Sequence, residues 1–162
     1  MLIGHEKQTQ EFLGALSKGQ LHHAWMLAGP QGVGKRRFAD LASLRLLSGE
    51  AGGLDVAADH PTASLVKAGS HLDHRVVERL TDDKGKRAGG VSVEQVRNLL
   101  QMLQGTAVLG QWRTVIIDSI DDLNRSAANA LLKALEEPPG DTVFFLISHA
   151  PGRLLPTIRS RC

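Results

Sequence analysis

Hydrophobic residues along the chain alternate between short unbroken runs and the spacing of amphipathic helices. The unbroken runs predict strands at residues 24–28, 76–77, 114–117 and 142–147. Apolar residues three and four positions apart predict helices over residues 6–18, 35–47, 92–104 and 125–136. Fully apolar strands that alternate with helices are typical of a parallel sheet covered on both faces. The pattern therefore predicts an α/β fold of this kind.

Local signals sharpen the limits of these elements. Ser92 and Gln95 have the spacing of a capping box, which predicts that a helix begins there. The prolines at 138 and 139 end the Ala/Leu-rich helix before them. Residues 82–86 predict an exposed turn, and residues 48–70 show no firm period, so we predict an irregular segment there.

Composition narrows the class of protein. With 162 residues and 42% hydrophobic residues, the sequence has the size of one domain with a single core. It has no apolar run of the ~18 residues that a membrane span needs and no signal-peptide pattern, so we expect a cytoplasmic protein without a membrane partner. Its one cysteine, Cys162, excludes an intrachain disulfide and a four-cysteine zinc site. The abrupt end at Cys162 favours a domain cut from a longer protein.

A glycine-rich loop lies between the first predicted strand and the second predicted helix. Gly29, Gly32, Gly34 and Lys35 fit the pattern G-x-x-x-x-G-K, whose amides and lysine surround nucleotide phosphates at a helix N-terminus. The next position should carry a serine or threonine hydroxyl that ligates magnesium, but Arg36 stands there. The loop is therefore predicted to keep the phosphate cradle and to lack one metal ligand.

The strand that ends on Asp118 supplies the second half of a nucleotide site. An acid in this position holds magnesium through water, and an ATPase usually has a glutamate base next to it, where this chain has Ser119. Asp121 and Asp122 are the alternative bases, but they lie past the strand in the turn. Since a buried ammonium needs a counter-charge, we expect Lys35 to approach Asp118. Because a metal ligand and the base are both missing, the sequence predicts that this domain does not hydrolyse ATP.

The segment after the second helix contains several histidines near acids. They are His60 beside Asp59, and the His-x-x-His pair of His71 and His74 with Asp73 between them. Such a group could bind a metal, but the segment has no clear helical pattern and the spacing is common. We predict solvated loop histidines and no metal, with a metal site as the alternative.

Two longer motifs resemble the clamp-loader ATPases, a family within the AAA+ class of P-loop NTPases. Residues 129–139, NALLKALEEPP, look like the family's signature helix, and residues 155–162, LPTIRSRC, look like its Ser-Arg-Cys terminus. Residues 2–6 and 22–27 resemble the delta-prime branch in particular. An intact gamma/tau ATPase would carry the hydroxyl and the glutamate that are missing here, so these two departures favour the delta-prime branch.

The resemblance implies a set of partners and roles. It implies that residues 1–162 form the AAA+ P-loop domain, followed by a lid and a collar domain, in a pentamer with gamma/tau and delta subunits of bacterial DNA polymerase III. Such loaders open the sliding clamp and close it around primer-template DNA. In these rings the arginine of Ser-Arg-Cys reaches the γ-phosphate bound by a neighbour, and the match here is Arg161. The family's sensor position matches Ser148.

Three hypotheses for the function follow. The leading one is a non-catalytic clamp-loader subunit that donates Arg161 in trans and requires no cofactor of its own. The alternatives are an active gamma/tau-like ATPase, which Arg36 and Ser119 oppose, and a small-molecule P-loop kinase, for which no acceptor pocket or set of lid arginines is recognisable. Gly32, Gly34 and Lys35 leave weak ATP or ADP binding without hydrolysis open.

Overall fold

The computed structural model describes residues 3–162, and over this range one parallel sheet forms the centre of the molecule. Its strands are β1 (Ala24–Ala28), β2 (His74–Glu78), β3 (Arg113–Asp118) and β4 (Thr142–Ser148). They lie in the order β1-β4-β3-β2, and every neighbouring pair is parallel. The predicted strands and their parallel arrangement are confirmed. Leu2, part of the opening motif, lies outside the described residues.

Helices connect the strands and cover the sheet. They are α1 (Glu6–Ser17), α2 (Lys35–Ser48), α3 (Pro61–Lys67), α4 (Val93–Met102), α5 (Arg125–Glu136) and α6 (Pro156–Arg159). Short 3-10 turns follow β3 at Ile120–Asp122 and β4 at Pro151–Arg153. The capping box at α4 is present. The hydroxyl of Ser92 accepts a hydrogen bond from the backbone amide of Gln95, and the side-chain oxygen of Gln95 accepts one from the backbone amide of Ser92. The four predicted helices are confirmed, and α4 ends at Met102, slightly before its predicted end.

Helix α3 corrects the prediction that residues 48–70 are irregular. Its first residue is Pro61, and the ring of His60 accepts a hydrogen bond of 3.2 Å from the amide of Thr62. Proline at the first helical position is favoured because its missing N–H would have no partner there. The helix escaped prediction because it contains no buried residue, so no amphipathic period marks it.

The two central strands carry the core, because their side chains alternate between the two faces of the sheet. One face is formed by Val115, Ile117, Phe144 and Leu146, which pack with α4 and α5. The opposite face is formed by Ile116, Val143, Phe145 and Ile147, which pack with α1 and α2. All eight side chains are fully buried. Because helices cover both faces, the positions of the strand ends, and of the loops that follow them, are set by the buried core.

No helix within residues 3–162 has both the length and the apolar character to cross a membrane.

The histidines of residues 60–74 have structural partners, so the prediction that they are solvated loop residues is wrong for two of them. His71 is buried and its ring accepts from the amide of Asp73 at 3.2 Å. His74 lies in β2, where its Nδ1 is 2.8 Å from the hydroxyl of Thr114. Among the described residues no group of three or more His, Cys, Asp or Glu side chains is placed to hold a metal.

The environment of His74 predicts a pH dependence of stability. Burial lowers the pKa of His74 from 6.5 to about 4, with His71, Arg36 and Arg75 adding to the shift. The folded protein therefore keeps this ring neutral in a range where the unfolded chain protonates it. The stabilisation is complete above about pH 6.5 and is lost as the pH falls towards 4, on the order of 3 kcal/mol in total.

This prediction is measured by the free energy of unfolding in denaturant at several pH values from 7.5 to 4.5. We expect the free energy of His74→Gln to fall less over this range than that of the unmodified protein. Equal losses in the two proteins would contradict the assignment to His74.

Candidate nucleotide site and exposed arginine

The predicted nucleotide-site residues meet at the carboxyl ends of β1, β3 and β4. The strand register places Ala28 of β1 beside Ser148 of β4, and Asp118 of β3 beside Ile147 of β4. The glycine-rich loop leaves β1 at this edge and leads into α2. Between the loop and the acids lies a cleft of about 770 Å³. Ligands of parallel α/β sheets bind at this edge, so the fold brings the loop and the acids predicted from sequence to one place.

The loop has the backbone conformation that its glycines allow. Gly32 and Gly34 have φ angles of 85° and 93°, in the left-handed region that residues with a side chain rarely adopt. Gly34 immediately precedes α2, so the helix N-terminus faces the cleft. His5, from the opening motif, also approaches the loop, with its Nε2 2.6 Å from the carbonyl oxygen of Val33. No sequence signal indicated that contact, which joins residues 28 positions apart.

Lys35 lies in this loop with only 6% of its surface exposed. Its ammonium donates to the carbonyl oxygens of Gly29 at 2.8 Å and Pro30 at 2.5 Å. Burial lowers the pKa of Lys35, and the charges of Asp118 and Asp121 partly oppose that shift. The expected approach of Lys35 to Asp118 is met only in part. The charge of Asp118 acts on the ammonium, but among the described residues no acid forms an ion pair with it, and two backbone carbonyls accept its hydrogen bonds instead.

Arg36 takes the partner that was expected for Lys35. Its guanidinium contacts three carboxylates: Asp40 at 2.9 Å, Asp118 at 3.2 Å and Glu78 at 3.2 Å. Although burial opposes it, hydrogen bonds to these acids raise the pKa of Arg36, so the side chain is a permanent cation. The guanidinium thus neutralises the acid that would hold magnesium and occupies space beside it. These residues do not fit a magnesium ion, and the i, i+4 spacing to Asp40 was the only one of the three contacts visible in the sequence.

Asp121 lies past β3 in the turn, as expected, and its carboxylate reaches the site. Its two carboxylate oxygens accept from the hydroxyls of Ser119 and Ser148, each at 2.8 Å, and from the amide of His149 at 2.6 Å. Burial alone would raise the pKa of Asp121, but these hydrogen bonds outweigh it and lower the pKa. A carboxylate with a lowered pKa and several bound donors is a poor base. Ser148, at the sensor position, is fully buried and committed to this contact.

The predicted interfacial arginine lies apart from the cleft, beyond α6. Both side-chain hydrogen bonds of Arg161 come from Nη1, to the carbonyl of Thr157 at 2.9 Å and the hydroxyl of Ser160 at 3.2 Å. Its Nη2 is 2.5 Å from Oε1 of Glu136, at the end of α5. The side chain of Arg161 remains 32% exposed. It does not line the nucleotide cleft of its own chain.

The amino-acid sequence is similar to those of known DNA polymerase III subunits. Residues 4–162 match the family described as "DNA polymerase III, delta subunit". The chain is 43% identical over 145 residues to DNA polymerase III subunit delta' of Pseudomonas aeruginosa, an alignment of 90% of this chain and 43% of the relative. It is 35% identical over 153 residues to the Escherichia coli delta' subunit, covering 94% of this chain and 44% of the relative. Subunit tau of Escherichia coli is 34% identical over 161 residues, covering 99% of this chain and 24% of tau.

The chain therefore spans less than half the length of the curated relatives that it matches. A solved structure of a DNA polymerase III gamma-subunit-related protein from Thermotoga maritima superposes with a TM-score of 0.59 at 23% identity, covering 93% of this chain and 43% of that one. A RuvB mutant from the same genus superposes with a TM-score of 0.51 at 20% identity, covering 98% and 44%. These similarities confirm the predicted AAA+ P-loop fold.

Proposed function

The chain belongs to the DNA polymerase III delta-subunit family, and from that premise we propose that it acts as a non-catalytic subunit of the clamp loader. In this role it supports loading of the sliding clamp onto primer-template DNA in the cytoplasm without turning over ATP itself. Its partners are gamma/tau and delta subunits, and it donates Arg161 to the nucleotide bound by a neighbouring ATPase subunit. The delta' names of the relatives with 35–43% identity support the choice of subunit.

The observation that carries the proposal is the position of Arg36. A catalytic P-loop ATPase needs a magnesium ion that bridges the phosphates, held by a loop hydroxyl and a strand acid. Here the strand acid Asp118 is paired with a guanidinium, and no hydroxyl follows Lys35. The nearby carboxylate that could act on water, Asp121, is held by three hydrogen bonds. The site therefore lacks both the metal ligation and the base that hydrolysis requires. Weak ATP or ADP binding through the loop amides remains part of the proposal.

We expect ATP turnover by the purified protein to stay at the background of the assay, with or without DNA and clamp. Typical enzymes turn over at roughly 1–10³ s⁻¹, so a rate of 1 s⁻¹ or faster would support the competing function, an active gamma/tau-like ATPase. The similarity to tau is the reason for testing that alternative directly. A Lys35→Ala variant is the control, since its residual rate defines contamination by other ATPases.

Reconstitution of clamp loading tests the whole proposal. The full-length protein is combined with gamma/tau and delta subunits, a sliding clamp and primed DNA, and clamp loading is followed with a labelled clamp. We expect loading to depend on this protein and to persist in a Lys35→Ala variant. Loading that proceeds equally well without the protein would contradict the proposed role.

A further inference from the structure

The contact between Glu136 and Arg161 joins two motifs that the proposed function uses separately. Glu136 is the last residue of α5, and Arg161 follows α6. The shortest distance between them is 2.5 Å, from Nη2 of Arg161 to Oε1 of Glu136. The two residues are 25 positions apart, so the contact exists only because α5 and α6 lie side by side.

The residues next to this contact are buried. Leu135, the neighbour of Glu136, is 1% exposed, and Ile158 of α6 is 2% exposed. Both belong to the same buried cluster beneath the sheet. The backbone that carries the acid and the backbone that carries the arginine are therefore anchored to one core.

Both Nη atoms of the guanidinium have contacts, and some of its donors remain available. Nη1 donates to Thr157 and Ser160 of its own segment, and Ser160 in turn donates to the carbonyl of Thr157 at 3.1 Å. Within residues 3–162, Nη2 lies 2.5 Å from Oε1 of Glu136, and Nε donates no hydrogen bond. Arginine has five N–H donors in a planar fork, so donors remain for the oxygens of a phosphate.

We propose that Glu136 is a positioning residue, which holds the guanidinium of Arg161 in the orientation that receives the γ-phosphate of a neighbouring subunit's nucleotide. This inference rests on the proposed trans role of Arg161. A free arginine side chain samples many rotamers and loses that freedom when it is fixed. The contact with Glu136 restricts the side chain before the nucleotide arrives. Because Glu136 is 48% exposed and Arg161 32% exposed, the contact is weak enough for a highly charged phosphate to share the guanidinium.

The test compares variants at Glu136, Glu137 and Arg161 of the full-length protein in the reconstituted loader. Glu136→Ala removes the contact, Glu136→Gln keeps its shape without the charge, and Glu137→Ala is the matched control that removes an exposed acid one residue away. DNA- and clamp-stimulated ATPase is measured as a function of ATP concentration, and size-exclusion chromatography checks pentamer assembly. The part of turnover that depends on Arg161 is the difference between the unmodified loader and the Arg161→Ala loader.

We expect Glu136→Ala to lower the maximal rate of the Arg161-dependent turnover by about two- to fivefold, as loss of an exposed ion pair allows. The ATP concentration at half-maximal rate should change little, because another subunit binds the nucleotide. Glu136→Gln should recover most of the rate, and Glu137→Ala should match the unmodified loader. In the Arg161→Ala background, Glu136→Ala should have no further effect, since it acts through that arginine.

Other outcomes separate the two proposals. If Arg161→Ala lowers turnover but Glu136→Ala behaves as Glu137→Ala does, the positioning role is wrong and the trans role of Arg161 stands. A rise in turnover for Glu136→Ala and Glu136→Gln would also overturn positioning, because it would mean that the acid competes with phosphate. An equal effect of Glu136→Ala with and without Arg161 would place its action elsewhere. If Arg161→Ala itself has no effect, the proposed function fails first.

Discussion

Arg161→Ala in the assembled loader should lower DNA- and clamp-stimulated ATPase and impair clamp loading. Negative charge builds on the γ-phosphate oxygens during phosphoryl transfer, and a guanidinium in place at that moment lowers the barrier. Fingers supplied in trans contribute on the order of 10³–10⁵ in rate in GTPases. Since this subunit would serve only the ATP site that it adjoins, total turnover should fall in part, by the share of that site.

Two further variants sharpen this prediction. Arg161→Lys should recover little activity, because an ammonium loses the planar fork that contacts two oxygens. Arg159→Ala is the matched control, since Arg159 is exposed and lies two residues away. Assembly should be unaffected, as the ion pair of Arg161 is partly exposed and contributes little to stability. Unchanged loading and ATPase in a correctly assembled Arg161→Ala pentamer would contradict the trans role, and Arg159 would become the next candidate.

Arg36→Thr should create nucleotide binding that depends on magnesium, whereas any weak binding by the unmodified protein should not depend on magnesium. The change removes the cation that pairs with Asp118 and supplies the missing hydroxyl. Ligand binding stabilises the folded state by mass action, by about 2.7 kcal/mol at a ligand concentration 100-fold above the dissociation constant. For a domain of this size that corresponds to a rise in Tm of roughly 5–10 °C. Hydrolysis should remain absent, because the base is still missing.

Thermal unfolding with ATP and magnesium, and with ATP and a chelator, measures this effect. Arg37→Thr is the control, because Arg37 is exposed and has no recorded ion pair among the described residues. The unmodified protein should show the same small response with and without magnesium, as expected if any weak binding uses only the loop amides. A magnesium-dependent shift in the unmodified protein as large as that of Arg36→Thr would show that Arg36 does not exclude the metal.

The elements that sequence reasoning placed well are those with a strong local cause. The apolar run at residues 143–147 is buried on both faces, so each of its side chains had to be apolar. Ser92 and Gln95 satisfy each other's backbone amides within one turn, which made the start of α4 readable from four residues. Helix α3 was not predicted from sequence for the converse reason: none of its residues is buried, and its N-cap is a histidine.

What the sequence determined by itself was the inventory of the site: a loop that can surround phosphate, an arginine where a hydroxyl belongs, and a serine beside the strand acid. These follow from residue identity and short spacing, since one loop contains Gly32, Gly34 and Lys35. The tertiary structure alone decided the partners of the charges. Lys35 was expected to approach Asp118, yet the ion pair of Asp118 is with Arg36, and Lys35 donates to two backbone carbonyls. Contacts between distant residues depend on how α2 lies against the ends of β2 and β3, and on how α5 lies against α6, which no local pattern encodes.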